Sequence, residues 1–335
     1  MSSSRNCLLR VILTVSAAFV TTSLLAQNID VFVDPSVSAP DAAHFPTVQM
    51  ALDHAPDVSP AGRLILHIAP GVYRERVSVS QLRPRTTFLG TGKGPADVVI
   101  TAAQYAKISG GTFFSETVQI DGDSFQADNV TFENSAGAVG QAVAIFVNAD
   151  RAVFKHCRFL GDQDTLLANH GRQFYTDSYI RGGVDFIFGN AAAVVDHSEI
   201  HIIRPGYLTA QSRTAADQST GYVIDHSRVT ADDLGEKTFY LGRPWRAYAR
   251  VVFMHTELPA SLNPAGWAPW PVNTPDPGAT TFYGEYANSG PGANPSGRVP
   301  WSHQLTAEQA APFAAERFLA GPDHWDPVAD AAKLP

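Results

Sequence analysis

Two aspartates, Asp164 and Asp185, lie 21 residues apart in a region rich in strand-forming residues. This spacing is close to the period of a repeat in the same region. If one repeat forms one coil of a parallel β-solenoid, equivalent positions on neighbouring coils lie about 4.8 Å apart, which is the spacing of paired strands. Crowding raises the pKa of one carboxyl group and a nearby cation holds the other ionised. Such a pair can supply a proton donor and a nucleophile.

Two glutamines follow the same spacing. Gln141 lies 22 residues before Gln163, which directly precedes Asp164. The repeat therefore brings one amide from each of two neighbouring coils next to the carboxyl groups. We predict that these four polar side chains converge at one site.

Six eight-residue segments align without gaps and define the repeat: 125–132, 152–159, 173–180, 193–200, 222–229 and 251–258. Their fifth positions are separated by 27, 21, 20, 29 and 29 residues and carry Asn129, His156, Asp177, His197, His226 and His255. Each segment has an apolar start, then a polar bend residue, a small or compact residue, and an alternation of polar and apolar residues. This pattern predicts short strands between turns, as in an all-β parallel solenoid. A sandwich or jelly roll is disfavoured because Asn-Gly hairpin turns are missing between the segments.

The composition predicts one sizeable domain behind a signal peptide. The chain has 335 residues, 44% of them hydrophobic and 17% charged, with 26 Gly and 23 Pro to form many turns. Arg5 and Arg10 precede an apolar stretch at 11–20, and Ala26 ends a small-residue cleavage point. We therefore predict a signal peptide at 1–26, a domain at 27–335 and a secreted protein. An uncleaved membrane anchor is the alternative, weakened by the Ser and Thr residues in the stretch.

Charge and cysteine content narrow the function further. The formal net charge is −8, and removal of residues 1–26 leaves −10. An acidic chain without a basic run is a poor partner for nucleic acid, so a neutral or partly neutralised polymer fits better as a substrate.

Only Cys7 and Cys157 are present, and the first leaves with the signal peptide. We expect Cys157 to be a buried core thiol rather than a nucleophile beside His156.

Five short segments, taken together, resemble the signatures of the pectin methylesterase family and occur in the family's order. They are Gly71-Val72-Tyr73-Arg74-Glu75, Gln141-Ala142-Val143-Ala144, Gly161-Asp162-Gln163-Asp164-Thr165-Leu166, Asp185-Phe186-Ile187-Phe188-Gly189 and Leu241-Gly242-Arg243-Pro244-Trp245. The likeness extends over about residues 29–327. It implies a right-handed parallel β-helix that hydrolyses methyl esters of galacturonic acid units in pectin and releases methanol.

The resemblance also implies a role for each polar residue of the site. Asp185 is the nucleophile, Asp164 is the general acid and then the general base, and Arg243 holds Asp185 charged and oriented. Gln141 and Gln163 donate N–H groups to the oxyanion of the tetrahedral intermediate. This chemistry requires no metal and no cofactor.

Substrate-binding residues are expected around the same site. Trp245 lies two residues beyond Arg243 and projects to the same side of an extended segment, where it can form an apolar platform under a sugar ring. Thr117 matches a family position that contacts substrate, and Phe188 is expected to line the same groove. Gln141 and Arg243 complete the predicted substrate-binding set. Asp162 departs from the family pattern, which usually has an aromatic residue there.

Two other functions use the same features. A β-helical acyl thioesterase would need the same carboxylate chemistry, and a non-catalytic pectin-binding protein would need only the groove. The intact set of five polar residues favours the esterase.

We expect a monomer without stable membrane association. His197 and His201 lie about 13 Å apart if both are on one strand, too far for a shared metal ion.

Overall fold

The computed structural model describes residues 27–270 and 277–334. The predicted signal peptide, residues 1–26, lies outside the described residues. The strands are β1 Ile29–Val33, β2 His44–Phe45, β3 Leu64–Ile68, β4 Gly71–Arg74, β5 Val77–Val79, β6 Thr86–Gly90, β7 Val98–Ala102, β8 Val118–Ile120, β9 Gln126–Asp128, β10 Thr131–Asn134, β11 Ile145–Val147, β12 Ala152–Lys155, β13 Arg158–Leu160, β14 Leu166–Ala168, β15 Arg172–Thr176, β16 Tyr179–Gly189, β17 Ala192–Asp196, β18 Glu199–Gln211, β19 Gly221–Asp225, β20 Arg228–Ala231, β21 Phe239–Gly242, β22 Arg250–Met254, β23 Phe282–Tyr286 and β24 Ser302–Gln304. The helices are α1 Val48–His54, α2 Ala106–Ser109, α3 Pro277–Thr280, α4 Ala307–Ala310, α5 Ala315–Phe318 and α6 Pro327–Ala331.

The strands form the predicted right-handed parallel β-helix with three faces, and their pairings are parallel. The first face runs in the order β2-β1-β3-β6-β9-β12-β15-β17-β19-β22-β23-β24. The second face contains β4, β7, β10, β13 and β20, and the third contains β5, β8, β11, β14 and β21. Strands β16 and β18 are long enough to run through both the second and the third face.

A left-handed residue ends the first-face strand in each of the six repeats. The fifth repeat positions have φ of 61° at Asn129, 49° at His156, 49° at Asp177, 46° at His197, 42° at His226 and 45° at His255. Asn, Asp and His are the non-glycine residues that adopt this conformation most readily. The predicted polar bend residue therefore forms the turn between the first and second faces. We call the stacked residues His197, His226 and His255 the histidine ladder; neighbouring ring centroids lie 5.1 and 4.5 Å apart.

The next position in the repeat points inward and forms a ladder of hydrogen bonds. The backbone N–H of Cys157 donates to Oγ of Ser178, that of Ser178 to Oγ of Ser198, and that of Ser198 to Oγ of Ser227, each at 3.0 Å. Each of these three hydroxyls in turn donates to the carbonyl two residues earlier in its own coil. The small residue in the repeat thus satisfies backbone groups inside the turn, where water does not reach.

The interior is filled by large side chains stacked in rows. Phe154 and Tyr175 on adjacent coils stack with ring centroids 4.9 Å apart, and both are fully buried. Burying one such side chain contributes about 1.5–3 kcal/mol. Cys157 lies in this core, and burial raises the pKa of its thiol to about 12. The prediction of a buried core thiol is confirmed.

Helices cover one end and one side of the solenoid. Val48 and Leu52 of α1 pack into the main core, and the carboxylate of Glu75 accepts the first backbone N–H groups of that helix. The C-terminal helices place residues such as Leu319 and Trp325 against the outer side of the first face. Within residues 27–270 and 277–334, no helix has the length and apolar character needed to span a membrane.

Replacing Ser198 by Ala is expected to lower the free energy of unfolding by about 1–3 kcal/mol, because the buried N–H of Ser178 loses its acceptor. Guanidinium denaturation of both proteins measures the loss. Ser219→Ala, at an exposed serine, is the control and should change stability by less than about 0.5 kcal/mol. Equal effects of the two substitutions would contradict a stabilising role of the hydroxyl ladder.

Candidate active site

The predicted acid pair lies where the chain passes from the second to the third face. Asp164 comes just before β14, and Asp185 lies within β16. Gln163 forms parallel bridges with Gln141 on one side and with Val184 on the other, so Asp164 and Asp185 occupy equivalent positions on adjacent coils. The structure thus brings together the four polar residues whose spacing predicts convergence, and all four line one cavity.

Both acids have left-handed backbone conformations, with φ of 64° at Asp164 and 51° at Asp185. In β16 the pairing register shifts on either side of Val184, which bends the strand around the corner. Gly182 is required at this bend, since an added Cβ would lie 2.3 Å from Cβ of Phe186. Each of the two carboxyl groups therefore lies at a corner between two faces of the β-helix rather than on a flat face.

Arg243 binds Asp185 through two hydrogen bonds. Its Nε donates to Oδ1 at 3.0 Å and its Nη2 donates to Oδ2 at 2.7 Å. The guanidinium lies between the rings of Tyr207 and Trp270, with its carbon 4.0 and 4.3 Å from their centroids. Bidentate pairing and stacking together fix the plane of the guanidinium and hence that of the carboxylate. The expected contact of Arg243 with Asp185 is present.

The two acids differ in their environments. Burial raises the pKa of Asp164 well above its ordinary value, the negative charge of Asp185 raises it further, and Arg243 opposes both. Burial also raises the pKa of Asp185, but the hydrogen bonds and charge of Arg243 act directly against it. The pKa of Asp185 remains above its ordinary value but that of Asp164 is raised well above it, so Asp164 is the better proton donor, and Arg243 favours the charged form of Asp185.

A cavity of about 210 Å³ opens over these groups. Its lining consists of Thr112, Phe113, Gln141, Gln163, Asp164, Asp185, Phe188, Ala210, Arg243, Trp245 and Trp270. The ring of Trp245 lies 6.1 Å from that of Phe188 and 6.5 Å from that of Phe113, which it stacks against. One side of the cavity is thus polar and the other aromatic, which suits a carbohydrate that carries an ester. Phe188 and Trp245 lie where they were expected.

Thr117 does not line this cavity. Its side chain is fully buried, and its hydroxyl donates to the carbonyl of Glu133 at 2.8 Å. The expectation that Thr117 contacts substrate therefore has no support in this geometry. Thr112, at the start of the short 3₁₀ turn Thr112–Phe114, reaches the cavity instead.

Sequence reasoning missed several residues of the site, namely Thr112, Phe113, Tyr207, Ala210 and Trp270. Phe113 comes from the connection between β7 and β8, outside the coil positions that the repeat defines. One signal was available, because Phe113 and Phe114 are adjacent aromatic residues in a polar, glycine-containing loop. Exposed neighbouring aromatic residues in loops often belong to binding surfaces.

Asp162, the departure from the family pattern, adds no uncompensated charge to the site. It is buried, and its Oδ1 accepts a hydrogen bond from Nε of Arg204 at 2.5 Å. It does not line the cavity. Arg204 therefore neutralises the charge of Asp162 outside the cavity that holds Asp164 and Asp185.

The fold and the site together define a right-handed parallel β-helix with two carboxyl groups paired in one cavity. The family model described as Pectinesterase matches residues 34–322. Pectinesterase 31 of Arabidopsis thaliana is 40% identical over 295 residues, covering 84% of this chain and 91% of that protein. The chain belongs to the pectinesterase family and is a carboxylic ester hydrolase.

Solved structures agree with this assignment. The pectin methylesterase from carrot superposes with a TM-score of 0.81 at 38% identity, covering 88% of this chain and 93% of that one. A pectin methylesterase in complex with a hexasaccharide superposes with a TM-score of 0.74 at 28% identity, covering 90% of this chain and 99% of that one. The whole β-helix of this chain is therefore of the family's type.

Replacing Asp164 by Asn is expected to stabilise the protein near neutral pH. Unfolding allows the carboxyl group of Asp164 to ionise at any pH above its ordinary pKa of 3.8, which favours the unfolded chain. The advantage of the variant should grow by up to about 1.4 kcal/mol per pH unit between that value and the raised pKa of the folded protein, and should be constant below and above this range. Denaturation at a series of pH values from acidic to neutral measures the difference.

Asp177→Asn is the matched control, since Asp177 is an exposed aspartate with the same left-handed conformation. Comparison with this variant separates the effect of placing Asn on a left-handed backbone from the effect of removing a buried carboxyl group. A difference for Asp164→Asn that stays flat or shrinks as the pH rises would contradict the raised pKa of this carboxyl group in the folded protein.

Proposed function

We propose that this chain hydrolyses the methyl esters of galacturonic acid units in pectin by a two-aspartate mechanism. The relatives named above are pectinesterases, and their solved structures include one with a bound oligosaccharide. The observation that carries the mechanism is the bidentate bond of Arg243 to Asp185, beside an Asp164 whose pKa is raised. One acid is thereby kept charged and the other protonated.

In the first step a carboxylate oxygen of Asp185 attacks the carbonyl carbon of the ester. A carbon–oxygen bond forms, and the electron pair of the carbonyl moves to its oxygen. Gln141 and Gln163 line the same cavity and donate N–H groups to that oxyanion. Each such donor contributes about 3 kcal/mol to the stabilisation of the transition state. Arg243 keeps the attacking group oriented throughout.

Collapse of the tetrahedral intermediate breaks the bond to the methoxy oxygen. Asp164 gives its proton to that oxygen, methanol leaves, and the sugar acid remains bound to Asp185 as an anhydride. Asp164, now a carboxylate, takes a proton from a water molecule that attacks the same carbonyl carbon. The bond to Asp185 then breaks, which releases the free acid and restores both aspartates to their starting states.

The groove suits a polymer whose charges are masked as esters. Trp245, Phe113 and Phe188 present an aromatic wall next to the acids. A chain with a formal net charge of −8 repels a fully ionised polyacid more than an esterified one. An acyl thioesterase would use the same acids, but the retained Trp245 beside Arg243 favours a sugar ring.

The setting of this activity is part of the same proposal. Arg5, Arg10 and the apolar stretch at 11–20 have the pattern of a signal peptide, so residues 27–335 would be the secreted enzyme. We propose that the mature protein acts as a monomer outside the cytoplasm and does not associate stably with the membrane.

Methanol release from highly methyl-esterified pectin tests the mechanism. The wild type should release methanol, and Asp185→Asn and Asp164→Asn should each reduce kcat by about three orders of magnitude or more. Asparagine is preferred to alanine because it keeps the shape of the side chain and tolerates the left-handed backbone. Asp177→Asn should leave the rate unchanged.

Three results would overturn the proposal. Release that survives in Asp185→Asn would remove this residue as nucleophile. A folded wild type that cleaves an acyl thioester and leaves pectin intact would favour the thioesterase. Binding of pectin without release of methanol would favour the non-catalytic protein.

Phe113 and Trp245 are expected to act on binding more than on chemistry. Phe113→Ala and Trp245→Ala should each raise KM for pectin by about tenfold, with a smaller change in kcat, because they remove apolar contact with the sugar. Phe114→Ala is the matched control, since the ring of Phe114 lies next to Phe113 in the sequence, is exposed and does not line the cavity. Equal KM values for the Phe113 and Phe114 variants would contradict the assignment.

A further inference from the structure

Arg204 reaches across the surface of the β-helix next to the acid pair. In the pairing of β16 with β18, the four residues 203–206 lie opposite the single residue Gly183. This bulge carries Arg204 out of the regular coil. An added Cβ on Gly183 would lie 2.5 Å from Cγ of Arg204, so the side chain lies flat over that glycine. Arg204 thus extends past the coil of Gly183 to Asp162 on the coil before it.

Asp162 holds the far end of this side chain in place. Nε of Arg204 donates to Oδ1 of Asp162 at 2.5 Å. The backbone of Asp162 is itself fixed, because its carbonyl accepts the N–H of Gly183 at 2.7 Å. The side chain of Asp162 is 9% exposed, whereas that of Arg204 is 35% exposed. The guanidinium is therefore anchored on one edge and open to solvent on the other.

The open edge of the guanidinium suits a carboxylate. Asp162 accepts from Nε alone, and within residues 27–270 and 277–334 the two Nη atoms of Arg204 have no hydrogen-bond partner. Two parallel N–H groups on one edge match the two oxygens of a carboxylate, and such bidentate pairs add both strength and geometric specificity. A side chain that is already anchored also loses less rotamer freedom when it binds a ligand.

This edge lies beside the acid pair rather than over it. Asp162 precedes Asp164 by two residues, and Gly183 precedes Asp185 by two residues on the adjacent coil. Two residues span at most about 7 Å, which is comparable to the length of one or two sugar rings. Neither Asp162 nor Arg204 lines the cavity over the acids. A carboxyl group that binds Arg204 therefore belongs to a sugar unit close to the one whose ester is hydrolysed.

We propose that Arg204, positioned by Asp162, binds the free carboxylate of a galacturonate unit close to the ester that is being hydrolysed. This inference rests on the proposed function, because it names the units of the polymer that the same groove prefers. A methyl-esterified unit carries no charge and cannot form the bidentate pair. Arg204 thus favours esters that lie near units already de-esterified. Because Asp162 neutralises Arg204, this preference is local and adds no long-range attraction for a polyacid.

Methanol release from two pectins of equal length, one almost fully methyl-esterified and one half esterified, tests the proposal. The wild type should have the lower KM, expressed per methyl ester, for the half-esterified pectin. The double variant Asp162→Asn/Arg204→Gln keeps the net charge of the pair at zero. Its KM for the half-esterified pectin should rise about tenfold, and its KM for the other pectin much less. Arg204→Lys keeps the charge without the bidentate edge and should fall between the two proteins.

Arg228→Gln is the matched control. Arg228 is also an exposed arginine bonded to an acid, with Nη2 2.6 Å from Glu199, but neither residue lines the cavity over the acid pair. Both of its KM values should equal those of the wild type. Calorimetry with fully de-esterified oligogalacturonate adds a measurement that needs no hydrolysis. The double variant should bind this oligomer about tenfold more weakly than the wild type does.

Two results would overturn the role of Arg204 even in an active esterase. One is a KM that rises equally for both pectins in the double variant, or does not rise at all. The other is equal affinity of the wild type and the double variant for the oligogalacturonate. A wild type that releases no methanol but binds the oligomer through Arg204 would instead overturn the proposed hydrolysis and support this carboxylate site.

Discussion

The parallel hydrogen-bonded register between coils is the constraint on which the rest of the molecule depends. It fixes the spacing of equivalent residues at that of paired strands, so one residue type repeated along the sequence becomes a row in space. The same rule generates the stacked aromatic residues of the core, the row of hydroxyls inside the turn and the row of imidazoles outside it. Asp164 and Asp185 are one more such pair, placed at a corner.

This regularity explains why the sequence predicted so much. The intervals between Gln141, Gln163, Asp164 and Asp185 are the coil lengths themselves, so their convergence followed from arithmetic alone. The polar bend residue and the small residue after it were also visible, because each turn repeats the same backbone conformation and the same inward hydrogen bond. The partner of Asp185, in contrast, came from family resemblance, since Arg243 follows no repeat interval.

Features outside the coil repeat were not predictable in the same way. Phe113 and Trp270 reach the cavity from connections whose path depends on tertiary packing and leaves no periodic trace. Thr117 shows the opposite error: its hydroxyl serves the backbone carbonyl of Glu133, and side-chain direction at a strand start cannot be read from a motif. The division of the pKa values between the acids likewise depends on burial, which only the structure supplies.

The two ends of the first face have a consequence for how such a molecule behaves at high concentration. At one end the outermost strand, β2, has two residues, and at the other end β24 is the short segment Ser302–Gln304, of which two residues are exposed. Edges this short and polar offer another copy few backbone groups to pair with. Stacking of one molecule on the next into a filament gains little, so a fold that is periodic inside remains finite in length.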